Sequence, residues 1–261
     1  METMTVVMPM AGAGMRFIDA GFTTPKPMIK LLGTPMFEWA MRSLVFPGFH
    51  TQFVLVPRQT TTEYYCEFAA KAIVARDNLR SVSADPVDVS LYWLDEMTGG
   101  PCETVVRAQE CIPVDGPLLI ADTDHYVGWN PLGFVGAMRA LQADGALVVF
   151  PATDPKWSFT ARDEDGWVTH VAEKDPISTS ANTGYYYFAR GDIFLSAAAS
   201  MITDGKKRVN GEFYVAPVFN ELIAQGRPVW AFDVPAEAMH EMGTPKDALQ
   251  FVNDRSMGAF K

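Results

Sequence analysis

Residues Val6 to Pro27 read VVMPMAGAGMRFIDAGFTTPKP, and the fold turns on how this stretch is parsed. Val6, Val7 and Met8 form a short apolar run, the pattern of a strand buried on both faces. The run ends in a loop of small residues, Ala11-Gly12-Ala13-Gly14. A loop without bulky side chains exposes its backbone N–H groups, and such groups hold phosphate oxygens well. Arg16 and Lys26, the latter held between Pro25 and Pro27, bring two positive charges beside that cradle. Two common nucleotide motifs are excluded. A dinucleotide fingerprint needs a third glycine where Phe17 stands, and a Walker loop needs a Gly-Lys-Ser/Thr that is absent.

Outward from this loop, strand-like and helix-like segments alternate, which predicts a mainly parallel sheet covered by helices. Residues 28–32 look extended up to Gly33, 53–56, 118–120 and 146–150 read as core strands, and 87–94 alternates. Helical patterns cover 35–44, opened by Pro35, then 60–75, 102–111 and 131–142. One of Thr60, Thr61 and Thr62 caps the second of these. Beyond Pro151, strands are expected at 156–160, 167–172, 182–189 and 228–234, and helices at 192–201, 213–224 and from Pro245. No repeat, low-complexity tract or long linker divides the chain, so residues 1–261 are expected to form one domain.

Composition bounds the function. The 261 residues are 48% hydrophobic and 12% aromatic, enough for a large core and unlike a disordered chain. Twenty-one Lys and Arg against 31 Asp and Glu give a formal charge of −10, so nucleic-acid backbones exert no general attraction. The nearest basic run, Lys206-Lys207-Arg208, reads as a solvated loop. No apolar run reaches membrane-spanning length, and the first residues lack the basic start of a secretory signal. Cys66, Cys102 and Cys111 are odd in number and without metal-type spacing, which points to a reducing, cytoplasmic location.

Four further strings carry chemistry. Residues 118–124, LLIADTD, put carboxylates at the end of a core strand, where open α/β sheets bind ligands. Their hard oxygens suit Mg²⁺, with Asp122 and Asp124 both candidates. Residues 98–104, TGGPCET, make a glycine turn into a helix. Residues 171–174, VAEK, are followed by the strand NTGY at 182–185. Residues 239–244, MHEMGT, precede a helix opened by Pro245. No H-x-x-H and no G-x-S-x-G elbow occurs, so covalent catalysis has no candidate constellation. Phosphoryl chemistry needs none, since positioning and charge neutralisation do most of the work.

The succession of strand, A-G-A-G-M-R-F loop and P-K-P resembles the sugar-phosphate nucleotidyltransferases, also called nucleotide-sugar pyrophosphorylases. The other strings follow in the order of that family. The resemblance implies a Rossmann-like α/β fold (GT-A-like) with a mixed, mostly parallel central sheet flanked by helices. A nucleotide-binding part would span about residues 1–150 and an acceptor-binding part about 151–234. It implies that Ala11, Gly12, Ala13 and Gly14 wrap a nucleoside triphosphate. Arg16 and Lys26 would be catalytic, stabilising the transferred phosphate and the departing pyrophosphate. Gly99, Gly100 and Thr104 would lie by the nucleobase.

Of the strand-end carboxylates, the family pattern and the following His125-Tyr126-Val127 favour Asp124 as metal ligand. Glu241 would be the second ligand, standing where many members have Asp. Glu173, Lys174, Asn182 and Gly184 would hold the acceptor, with Glu173 on sugar hydroxyls and Lys174 on its phosphate. The expected cofactor is Mg²⁺, and the expected partners are an NTP and a small phosphorylated acceptor, most simply a sugar 1-phosphate. Neither nucleic acid nor membrane is expected as a partner. Two other classes fit parts of the pattern. Asp122-Thr123-Asp124 is literally the D-x-D of a nucleotide-sugar-dependent glycosyltransferase, and a non-catalytic nucleotide-sugar sensor would use the same fold.

Overall fold

The first strand, β1 (Thr3–Met10), is buried over most of its length, as its apolar run requires. The computed structural model describes residues 1–205 and 208–258, so Lys206 and Lys207 lie outside the described residues. After β1 the chain turns through the glycine loop into α1 (Met15–Asp19), which buries Phe17. A 3₁₀ turn at Lys26–Met28 leads to a small hairpin, β2 (Lys30–Leu31) and β3 (Thr34–Pro35). Pro35 then precedes α2 (Met36–Arg42), which leads to β4 (His50–Pro57).

The next helix, α3 (Thr62–Val82), is capped by Thr61, whose hydroxyl accepts from the Tyr64 N–H at 3.0 Å. It runs well past the expected end near residue 75. Ile73, Val74 and Val82 are apolar but exposed, which blurs the helical period in the sequence. Beyond it lie β5 (Val87–Leu91), α4 (Pro101–Arg107), β6 (Leu118–Ala121), β7 (His125–Val127) and α5 (Pro131–Leu141). Ladder pairing of β5 stops short of residue 94 and resumes only as a single Arg58–Leu94 bridge.

The second half contains β8 (Gly145–Pro151), β9 (Ser158–Arg162), β10 (Val168–Glu173), β11 (Ser180–Phe188) and α6 (Gly191–Asp204). It closes with α7 (Phe219–Ala224), β12 (Val229–Asp233), β13 (Met239–Glu241) and α8 (Pro245–Ser256). The single helix expected over 213–224 is corrected. Phe213 donates to the Gly99 carbonyl and accepts from Cys102, so it belongs to a tertiary pairing. A 3₁₀ turn, Ala216–Val218, separates it from α7.

Nine strands form one sheet, in the order β10-β9-β11-β6-β1-β4-β5, with β8 beside β11 and β12 beside β8. The register makes β10 and β11 run against the other seven, so the sheet is mixed but mostly parallel. Alternation along β1 divides the core. Met4, Val6 and Met8 face one layer with Phe37 of α2, Phe68 of α3 and Phe134 of α5. Val7 faces the other, with Val105 of α4, Phe194 of α6 and Phe219 of α7. Each fully buried aromatic or aliphatic side chain contributes about 1.5–3 kcal/mol.

A third cluster joins Phe17, Met36 and Trp39 to Met242, Ala248 and Phe251. It docks the C-terminal α8 against the segment that carries the glycine loop. The two-stranded ribbon of β7 and β13 was not expected, since strands of three residues give no readable period. That ribbon and α8 bring residues 239–244 to the end of β6.

Candidate active site

The glycine loop leaves the carboxyl end of β1, the edge at which open α/β sheets bind ligands. Gly14 has φ +68°, and a Cβ there would fall 3.1 Å from the Cβ of Lys26. Glycine therefore permits both the left-handed turn and the passage of the lysine stem across the loop. Lys26 reaches over to Asp124, Nζ to Oδ2 at 2.5 Å.

Asp124 stands between β6 and β7. The Met242 N–H donates to its carbonyl at 2.7 Å, and a Cβ at Gly243 would fall 2.9 Å from Oδ2. The segment 239–244 thus closes against this carboxylate from a remote part of the chain. Burial opposes the charge on Asp124, but Lys26 and then His125 outweigh it and hold the carboxyl well below the usual range. Asp122, without such a partner, is pushed by burial up to about 6, His125 opposing and Asp124 adding to the rise.

On the far side, β11 bulges between Asn182 and Tyr186. At the bulge Gly184 has φ +84°, and a Cβ would fall 2.4 Å from Asp122 Oδ2 and 2.7 Å from His125 Nδ1. Glycine here lets strand, carboxylate and imidazole meet. Glu173 ends β10, and burial pushes its carboxyl up to about 7, Lys174 opposing and Asp122 and Glu212 reinforcing. Lys174 donates to the Tyr214 hydroxyl and lies 4.3 Å above that ring.

These groups line one cleft of about 370 Å³. Arg16, Lys26, Lys156 and Lys174 bring four cations into it, against carboxylates at 122, 124, 173, 212 and 241. Such a cleft neutralises a polyanion while leaving oxygen donors for a cation.

Of the residues expected from the sequence, Ala11, Gly12, Gly14, Arg16, Lys26 and Thr104 line the cleft on the loop side. Asp124, Glu173, Lys174, Asn182, Gly184 and Glu241 line it opposite. Ala13 faces a neighbouring depression with Phe22 and Tyr64. Gly99 and Gly100 lie in the turn before Pro101 and are not among the lining residues; Gly100, at φ +129°, has Phe213 backbone packed where a Cβ would be. The Asn182 amide is engaged by Ser158 at 2.8 Å and Thr160 at 2.6 Å, tying β11 to β9. Glu241 accepts from Lys156 Nζ at 2.8 Å.

Lys156, Glu212 and Tyr214 also line the cleft and were not singled out in the sequence. Nothing local marks them. His125 followed a suspected metal carboxylate directly and was the readable one. Its ring is buried, with Nδ1 2.8 Å from the Thr183 carbonyl.

The family model for Nucleotidyl transferase matches residues 5–255, and the chain belongs to that family, as its motifs led us to expect. Among solved structures it is similar to the nucleoside-diphosphate-sugar pyrophosphorylase from Vibrio cholerae RC9, with a TM-score of 0.78 and 26% identity. That match covers 95% of this chain and 99% of the other. A UDP-glucose pyrophosphorylase complexed with UDP-glucose shares the fold at a TM-score of 0.76 and 15% identity, over 98% and 99% of the two chains. The mannose-1-phosphate guanylyltransferase catalytic subunit beta of Drosophila pseudoobscura pseudoobscura is 24% identical over 245 residues, 91% of this chain. The chain spans 58% of the length of that curated relative.

Among the described residues, no helix is long and apolar enough to cross a membrane.

Proposed function

We propose that this protein transfers a nucleotidyl group from an NTP to a sugar 1-phosphate, releasing pyrophosphate. The observation that carries the reading is the Lys26–Asp124 pair, set between a glycine loop and the Glu173-Lys174 strand end in one cleft. The names of the similar proteins, a nucleoside-diphosphate-sugar pyrophosphorylase and a mannose-1-phosphate guanylyltransferase, support the substrate class.

A phosphate oxygen of the acceptor attacks the α-phosphorus. One P–O bond forms there, the bridge to the β-phosphorus breaks, and pyrophosphate leaves with its charge. The backbone N–H groups of residues 11–14 face the triphosphate. Lys26 and Arg16 offset the charge that grows on the transferred and leaving groups. Arg16 is exposed and has no hydrogen bond or ion pair among the described residues, which leaves its guanidinium available to the leaving group. Residues 1–150 supply the nucleotide side and 151–234 the acceptor side, where Lys174 meets the acceptor phosphate and Glu173 its hydroxyls.

The donor set fits a divalent cation. One ligand atom each from Asp122, Asp124 and His125 lies within 4.8 Å of the others, and carboxylate oxygens suit Mg²⁺. We assign Asp124 as its principal protein ligand, with Glu241 facing the same cleft. When bound, Mg²⁺ neutralises phosphate charge and polarises the phosphoryl oxygens.

The test crosses several NTPs with a panel of sugar 1-phosphates and other phosphorylated alcohols and follows pyrophosphate. Release of a nucleoside diphosphate from a preformed sugar nucleotide would instead mark a glycosyltransferase. No turnover with any pair would mark a binding protein.

A further inference from the structure

His125 Nδ1 lies 2.8 Å from the carbonyl oxygen of Thr183. A carbonyl only accepts, so Nδ1 carries a proton, and in the neutral ring Nε2 carries the lone pair. Nε2 faces Asp124 Oδ1 at 3.7 Å, beyond hydrogen-bond reach, and has no hydrogen bond among the described residues. Two electron-rich atoms therefore face each other across a gap at the cleft. Donors about 2.1 Å from a shared cation stand roughly 3.0 Å apart at a right angle and about 3.6 Å apart at 120°. The observed 3.7 Å lies just beyond that span, so a small approach of the two groups would bring both onto one cation.

The other Asp124 oxygen is held by Lys26, and Glu241 is held by Lys156, which leaves Asp124 Oδ1 and His125 Nε2 facing each other. Behind the ring, Asp122 Oδ2 lies 3.6 Å from Nδ1. A backbone carbonyl on one ring nitrogen, with the other left open, is how proteins orient a histidine toward a metal, and the Asp122 charge behind the ring adds to that hold. The side chain is only 11% exposed and its ring packs 5.6 Å from Trp157, so its orientation is held.

We propose that His125 is a direct ligand of the active-site cation, binding through Nε2 beside Asp124 Oδ1, with the Thr183 carbonyl orienting the ring and the Asp122 carboxylate behind it. The inference rests on the nucleotidyltransferase reading for the presence of a cation. An imidazole nitrogen shifts the site toward borderline ions such as Co²⁺ and Zn²⁺ relative to an all-oxygen site.

Mn²⁺ is the probe, added to the full-length protein with a non-reactive NTP analogue and read by pulsed electron paramagnetic resonance. Wild type is expected to show nitrogen modulation from one directly bound imidazole. His125→Gln should lose that modulation and bind Mn²⁺ about tenfold or more weakly. Asp122→Asn should keep the modulation while losing about tenfold in affinity. Bound Mn²⁺ without nitrogen modulation in wild type overturns the proposal, as does modulation that persists in His125→Gln or an absence of Mn²⁺ binding. The wild-type spectrum decides without relying on any variant folding. Pyrophosphate release by the same preparation with Mg²⁺ separates the two readings. Release without nitrogen modulation sinks the His125 assignment alone, and modulation without release sinks the assigned reaction.

Discussion

Lys26 Nζ lies 2.5 Å from Asp124 Oδ2, joining residues 98 positions apart across the mouth of the cleft. Their side chains are 23% and 17% exposed, so the pair is partly withdrawn from water. It links the segment after the glycine loop to the end of β6. It also holds the Asp124 carboxyl low, whereas burial pushes that of Asp122, two residues away, up to about 6.

Lys26→Ala is expected to lower turnover on the order of a hundredfold or more, the loss of about 2–4 kcal/mol of charge stabilisation. Initial rates of pyrophosphate release measure it. Turnover near wild type would remove Lys26 from the assigned role.

Asp124→Asn tests the cation. The neutral amide is nearly isosteric but offers a much weaker ligand and no charge for Lys26. Mg²⁺-dependent turnover should fall on the order of a hundredfold. A protein that kept its full Mg²⁺-dependent rate would rule Asp124 out as the ligand.

Glu173 makes stability depend on pH. Burial raises its carboxyl from 4.5 to about 7 in the folded state. Between those values the native protein holds a proton that the unfolded chain has released, so stability falls as pH rises through that window and levels off above about 7. Glu173→Gln lacks this proton, so its stability relative to wild type should rise across the same window, by on the order of 1–3 kcal/mol. Urea unfolding of both proteins at about pH 5 and about pH 8 is the check. Curves that stay parallel would contradict the shift.

Gly184→Ala meets two obstacles. The left-handed φ of +84° disfavours a side chain, and the new Cβ would strike Asp122 and His125. A cost of about 1–3 kcal/mol from the backbone alone is expected, together with reduced turnover as the two groups are displaced. Thermal melting and rates, taken together, test this. An alanine protein with wild-type Tm and rate would show that the bulge relaxes freely.

Thr61→Ala supplies the contrast. It removes the cap of α3 and should cost about 1 kcal/mol of stability. Thr61 is not among the cleft-lining residues, so the turnover number should be unchanged.

Much of this protein was legible along the chain wherever the cause is local. The apolar run of β1, the small-residue loop, the Thr61 cap and the prolines opening α4, α5 and α8 each depend on neighbours within a few residues. Motif order carried the family because it reports the succession of strand ends along one edge of the sheet. The sequence failed where exposure hid a period, as at the end of α3, and where a remote contact overrode a local tendency. Phe213 left its expected helix to pair with Gly99 and Cys102.

The chemistry of the cleft had a different origin. Residue types at positions 16, 26, 124, 173 and 174 were readable from the chain, since charge and spacing are written there. Which groups pair was not, because the contacts join residues far apart. Lys156 reaches Glu241 over 85 positions, and His125 reaches the Thr183 carbonyl over 58. Sheet register and the bulge at Gly184 set those distances. The Lys26 contact then divided Asp122 from Asp124, two identical and half-buried side chains in a three-residue string, by holding only the second low.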